Sequence, residues 1–166
     1  MTSISNKTFD EIKVGDNSCM KRTLTKFDIE LFAIVSGDVN PAHVDAEYAK
    51  KSMFHDVIAH GMWTGALIST VLGTQFPGPG TIYLAQNIKF LKPVYIGDEI
   101  TVSVRVVKKY VRKPILVLTC VCTNQRNKNV ATGFAKVMAP TQKITCKRMV
   151  MPKVTLSSQD NKINEN

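Results

Sequence analysis

No stretch of this 166-residue chain approaches the roughly 20 consecutive apolar residues that span a bilayer as a helix, and the apolar run at 115–118 is strand-sized. Residues 1–7 are polar and lack the apolar centre of a signal peptide. No membrane partner is expected, and a cytoplasmic protein is the default. Cysteine is sparse: four residues, at 19, 120, 122 and 146, with no C-x-x-C metal or redox pair. Cys120 and Cys122 stand two apart in a strand-like run and so point to one sheet face; all four are expected to be buried, reduced thiols. Acidic residues are few, 13 against 22 Lys and Arg, for a net charge of +9. Such a balance favours anionic partners. Helix-turn-helix, RNP-type and zinc-finger patterns are all missing, however, so no nucleic-acid partner is expected.

What is present is ordinary for a globular domain: 44% hydrophobic and 21% charged residues, in a chain long enough for one substantial core. Residues 1–15 read as a polar lead-in and 17–24 as a first strand. Thr25 is placed to cap a helix, with Asp28 three residues on in a capping-box arrangement. Phe27, Leu31 and Ile34 recur at helical spacing, and Gly37 then stops the helix as a residue free to turn left-handed. Pro41 pushes Asn40 out of the helical region, so 38–45 is expected to be loop, with a short helical turn from Asp45 to Ala49. A second helix is expected over about 61–72. Its small residues Gly61, Gly65, Ser69 and Gly73 predict close approach to a neighbour, with room for a ligand chain as the second reading. Alternation of period two then marks strands near 82–90 and 100–106, a nearly continuous apolar run marks one at 115–122, and 130–138 makes a last strand, all separated by polar turns. The run 115–122 is apolar enough for a strand covered on both faces. Short turns predict mostly antiparallel neighbours, in an α+β fold whose curved sheet wraps the one long central helix. A domain over 1–140 is followed by a polar, basic tail or linker over 141–166, in part disordered, over 155–166.

Two segments carry chemistry. Residues 36–45 read Ser-Gly-Asp-Val-Asn-Pro-Ala-His-Val-Asp, which sets a carboxylate, Asp38, and an imidazole, His43, on one short turn. Seventeen residues after His43 comes His60-Gly61-Met62, the start of the central helix, where unpaired amides carry partial positive charge. Asn40 reads first as the turn former of an Asn-Pro pair and second as a group orienting a catalytic neighbour. Asp45 reads first as a helix cap. His60 reads as a structural residue at the helix start, and His55 as surface.

These residues resemble the MaoC-like (R)-specific enoyl-CoA hydratases, and so do Pro79-Gly80-Thr81-Ile82-Tyr83 and the segment from Phe90 through Pro93-Val94 to Gly97-Asp98. The resemblance covers about residues 10–139. It implies a hot-dog fold, a homodimer, and reversible addition of water to trans-2-enoyl-CoA to give (R)-3-hydroxyacyl-CoA. It implies no metal and no redox cofactor, coenzyme A being part of the substrate. Asp38 and His43 would be catalytic, Gly61 and Ser69 substrate-binding, with Asn40 and His60 in support. Ala59, Trp63 and Thr64 stand where bulkier aliphatic residues are common in the family, which bears on acyl-chain preference. The same fold serves acyl-CoA thioesterases and non-enzymatic acyl-CoA-binding modules, and some relatives are one domain of a larger acyltransferase fusion. The His-Phe-Pro-Gly segment of fatty-acid-synthesis dehydratases is absent, which argues against that activity.

Overall fold

Thr25 opens α1 (Lys26–Ser36) through the anticipated capping box: its hydroxyl accepts the Asp28 N–H while the Asp28 carboxylate accepts the Thr25 N–H. Gly37 ends the helix at φ 75°, where a side chain would be strained. The loop expected over 38–45 holds instead a four-residue helix, α2 (Pro41–Val44). Proline stops a preceding helix but suits the first position of the next, and both occur here. Asp45 then caps α3 (Ala46–Lys51). The computed structural model describes residues 3–157.

The central helix, α4 (Gly61–Thr74), turns Trp63, Leu67, Ile68, Val71 and Leu72 inward. Around it curve β2 (Asn17–Thr23), β3 (Ile82–Phe90), β4 (Glu99–Lys109), β5 (Ile115–Thr123) and β6 (Asn129–Met138), all neighbours antiparallel, in the order β2-β4-β5-β6-β3. Ile100, Val102, Val104, Leu116, Leu118 and Val137 meet the helix in one fully buried core. Each such side chain contributes about 1.5–3 kcal/mol on burial. The α+β arrangement of a curved sheet around one helix is the hot-dog fold expected from the sequence.

Three expectations need correction. Although joined by a short segment, β3 and β4 are not neighbours: β3 pairs with β6, and the chain crosses to place β4 between β2 and β5. Short links constrain distance, not pairing. β5 is fully buried on one face only, its outward residues being partly buried, so its long apolar run does not mark a strand covered completely on both sides. The lead-in is built into the fold. Asn6, almost wholly buried, donates to the carbonyls of Pro79 and Gln142 and accepts the Ile144 N–H. β1 (Ser3–Ser5) pairs antiparallel with β7 (Thr145–Lys147), so ordered structure runs past the boundary at 140. Glu11 ties the same two segments. The Thr8 N–H, then Lys143, hold its carboxyl down at about 2. The disorder expected over 155–166 falls mostly outside the described residues.

Cys120 and Cys122 share the core face of β5 as free thiols, and burial pushes them up to about 11 and about 12. Cys19 and Cys146 are exposed, against expectation: Cys19 sits on the outward face of β2, and β7 is exposed along its whole length. On β6, Gly133 has no room for a side chain: a Cβ there would stand 1.9 Å from the Asn87 carbonyl oxygen of β3.

Candidate active site

The segment from Gly37 to Asp45 is a succession of caps. The Asp38 N–H donates to Ser36 Oγ at 3.2 Å, and Asp38 Oδ1 accepts the Asn40 N–H at 3.2 Å. Asn40 Oδ1 in turn accepts the Ala42 N–H at 3.0 Å and caps α2. Asn40 is thus the turn former it resembled in the sequence. Asp45 Oδ1 accepts the N–H groups of Glu47 and Tyr48, a capping role that occupies its inner oxygen. The short helix carries His43 in its last turn and aims the ring at residues 58–60.

Those three residues are strung between α2 and the 94–95 segment. Ile58 bridges Tyr95, and the Ala59 N–H donates to the Val94 carbonyl at 2.8 Å. His43 Nδ1 lies 2.9 Å from the Ile58 carbonyl. A carbonyl only accepts, so a ring hydrogen sits on Nδ1, and in the neutral ring Nε2 is the nitrogen with the lone pair. By the same logic His60 Nε2 donates to the Asp38 carbonyl at 2.9 Å. The two imidazole rings stack with centroids 4.0 Å apart, and Phe32 closes on His60 from another side at 5.0 Å. His60 is 2% exposed and gives α4 no side-chain cap, so its place at the helix start serves the Asp38 loop rather than the helix. Among the described residues its Nδ1 is the buried side-chain atom without a hydrogen-bond partner.

Asp38, His43 and His60 each offer an oxygen or nitrogen within 4.8 Å of the others. A carboxylate and two imidazoles this close, each ring held by one nitrogen on a backbone carbonyl, can hold a water and move protons.

Beside it opens a cavity of about 420 Å³. His43, His60, Gly61 and Thr64 form one end, and Phe54, Ile58, Val94 and Val130 make most of the rest apolar. Asp38 is exposed at the rim and does not line it. An added Cβ at Gly61 would stand 3.1 Å from the Phe90 ring, a tight contact that the ring would have to relieve by a small shift. Close approach therefore explains this glycine; at Gly73 a Cβ would meet nothing within 4 Å, so the small-residue stripe has no single cause.

The predicted residues separate into two groups. Asp38, Asn40, His43, His60 and Gly61 come together. Ser69 does not: it lies two turns along α4, exposed on the face of Met62 and Ala66 and away from this cavity. Ala59 and Thr64 line the cavity, whereas Trp63 is buried towards α1. Sequence reasoning passed over Phe54 and Val130, whose only signal is being apolar; Phe90 and Val94 lay inside the Phe90–Asp98 motif without an assigned role.

The stack predicts a separable effect for His60→Phe. The variant keeps a ring against His43 and Phe32, loses the donor to the Asp38 carbonyl, and also removes the orphaned Nδ1. Each of those unmade bonds is worth about 1–3 kcal/mol, so the two changes offset in stability. Turnover should still fall about tenfold or more, as the Asp38 loop loses its anchor. Thermal melting read beside steady-state rates checks this; unchanged rates would leave His60 a packing residue only.

Comparison with known proteins adds to this geometry. Residues 13–126 match the family described as MaoC like domain. An (R)-specific enoyl-CoA hydratase from Rhodospirillum rubrum is 44% identical over 132 residues, 80% of this chain and 91% of that protein. The R-hydratase PhaJ1 from Pseudomonas aeruginosa, solved unliganded, superposes with a TM-score of 0.90 at 38% identity, covering 94% of this chain and all of that one. A mitochondrial 3-hydroxyacyl-[acyl-carrier-protein] dehydratase from Arabidopsis thaliana is 34% identical over 142 residues, 84% of this chain and 83% of that protein. A chain without a His-Phe-Pro-Gly segment is thus similar to a protein described as a carrier-protein dehydratase, and the missing segment does not decide between thioester carriers.

Proposed function

This chain belongs to the MaoC-like domain family, and from that premise we propose that it is a hydro-lyase adding water reversibly to trans-2-enoyl-CoA to give (R)-3-hydroxyacyl-CoA. One observation supports the reading most directly: a carboxylate and an imidazole with a free Nε2 stand together beside the start of a helix, at the end of a mostly apolar cavity.

In the proposed reaction the acyl chain occupies the cavity and the thioester oxygen faces the amide of Gly61. As water adds to C3, negative charge moves onto that oxygen, and a positioned amide stabilises it more than it did the ground state. One such donor is worth about 3–4 kcal/mol of barrier. Asp38 and the Nε2 of His43 hold the water between them; together they take one proton from it and return one to C2, so the pair ends as it began. No metal and no redox cofactor enters these steps. Pure protein should therefore bleach the conjugated absorbance of crotonyl-CoA at the same rate before and after dialysis against a chelator, release no free thiol, and give the R product on chiral analysis. No turnover of crotonyl or longer enoyl-CoAs would overturn the reading; thiol release would favour a thioesterase.

The active form in this proposal is a homodimer. Of the two sheet edges, β2 carries Lys21 and Arg22, charges that discourage pairing. The β3 edge exposes Ile82, Leu84 and Phe90, next to the exposed α4 face bearing Met62 and Ser69. A second copy laid along β3 would cover both, and would give Ser69 a buried setting. Light scattering should find twice the 18.4 kDa chain mass, and Leu84→Lys should shift it towards monomer. We place the protein in the cytoplasm, a reading supported by its surface thiols at Cys19 and Cys146, which suit a reducing compartment. Among the described residues no helix is long and apolar enough to cross a membrane.

A further inference from the structure

A second cavity, of about 350 Å³, adjoins the first: Lys92 and Pro93 line both. Its far wall is the turn joining β5 to β6, which contributes Asn124, Arg126 and Lys128. This turn is rigidly built. Buried Asn124 accepts the N–H groups of Arg126 and Lys128 on one side-chain oxygen, both at 3.0 Å, its own N–H donates to the Lys128 carbonyl, and Asn127 takes a left-handed φ of 55°. Lys92 is fixed beside it, because the N–H groups of Leu91 and Lys92 both donate to the Val130 carbonyl just beyond the turn.

Three cations therefore face one groove. The single carboxylate there, Asp98, is 4% exposed and already engaged by the Tyr95 N–H at 3.0 Å, Gln125 Nε2 at 2.7 Å and, more loosely, Arg126 at 3.6 Å. Among the described residues Lys92 and Lys128 form no ion pair within 4.0 Å. Such a groove carries a net positive charge and is open to solvent. It shares Lys92 and Pro93 with the apolar cavity, and His43 lines only the latter.

We propose that Lys92, Arg126 and Lys128 form an anion subsite for the phosphates of the coenzyme A carrier, placed so that a thioester reaching His43 and Gly61 leaves its nucleotide in this groove. The inference rests on the thioester reading above and adds to it which end of the substrate is recognised by charge. An acyl chain cannot use these cations. A pantetheine arm running over Lys92 and Pro93 links the two cavities without a charged group of its own.

The test compares crotonyl-CoA with crotonyl-pantetheine, which lacks the nucleotide phosphates, on wild type and on Arg126→Gln/Lys128→Gln. The double variant should lose about ten- to hundredfold in kcat/KM on the coenzyme A thioester, through KM. On the pantetheine thioester it should change less than about twofold. Lys128→Gln alone, whose side chain touches no carboxylate, gives the same sign if loss of the Arg126–Asp98 contact unfolds the double variant. Calorimetry with free coenzyme A and with dephospho-coenzyme A needs no turnover, and separates the 3′-phosphate from the pyrophosphate as the group held. Equal losses on both thioesters, or wild-type protein that binds coenzyme A no more tightly than the variant, overturns the subsite. Wild type that turns over neither thioester overturns the hydratase reading instead, while the calorimetry still decides the subsite. Turnover of a carrier-protein thioester that the variants leave intact, with no coenzyme A binding, would assign the groove to neither phosphate.

Discussion

Asp38→Asn should lower turnover of an enoyl-CoA by about 10²–10⁴-fold, the range that positioned acid–base groups supply. The substitution is nearly isosteric. Its remaining side-chain oxygen can still accept the Asn40 N–H, the bond that shapes the turn, and the carbonyl that His60 holds is untouched. The site is exposed at the cavity rim, so stability should stay within about 0.5 kcal/mol of wild type. The expected signature is thus an inactive protein with an unchanged melting curve. A residual rate above a tenth of wild type would remove Asp38 from the proton-transfer pair and leave His43 as the sole base. His43→Gln is the companion measurement. A side-chain amide can donate to the Ile58 carbonyl in place of Nδ1, but it offers no basic nitrogen to the water, so activity should fall with the fold retained.

The largest stability effect is expected far from this chemistry. Gly133→Ala would drive a methyl group to within 1.9 Å of the Asn87 carbonyl oxygen, and that neighbour is backbone, with no rotamer to yield. Relief requires β3 to separate from β6 at the middle of their pairing, where Gly133 opposes Ile88. Overpacking in a core costs about 1–3 kcal/mol even where side chains can adjust, and here several ladder bonds are at stake as well. Since β3 has no other strand partner among the described residues, the variant should melt well below wild type, or accumulate as aggregate through its freed edge. Differential scanning calorimetry of the soluble fraction measures the loss; a melting temperature within a few degrees of wild type would mean that the two strands tolerate a local bulge. One is already present in this pairing, between Tyr83 and Ala85.

Much of this was legible in the sequence where the cause is local. Thr25, Asp28 and Gly37 specify both ends of α1 by their own chemistry, and the structure places those ends where the residues require. Two of the four long strands after α4 announce themselves by alternation and a third by its apolar run. What escaped depends on partners distant in sequence. Three-residue strands such as β1 and β7 are too short for any period, and only their pairing makes them strands. Strand order cannot be read from periodicity, which says that β3 and β4 exist but not that β6 lies between β3 and the rest of the sheet. At the site, the Asp-x-Asn-Pro-x-His spacing brought Asp38 and His43 to notice, since one turn holds both. His60 looked like a helix-start residue because its tasks, a bond to Asp38 and a stack on His43, join it to residues 22 and 17 positions earlier. Ser69 stands apart from the cavity for the opposite reason: helical spacing fixes its face, but only the packing shows that this face is exposed in the single chain.

The relay of caps between Gly37 and Asp45 has a thermodynamic consequence. Fixing one residue's backbone from a free chain forfeits about 1–2 kcal/mol of conformational entropy. A catalytic loop that ordered itself around its substrate would meet that cost at every turnover and bind more weakly for it. Here Asp38 and Asn40 are each held by a side-chain acceptor to a backbone N–H two residues on, and Asp45 in the same manner, so the ordering is completed when the protein folds. Binding free energy that would otherwise go into organising the loop stays available for the transition state.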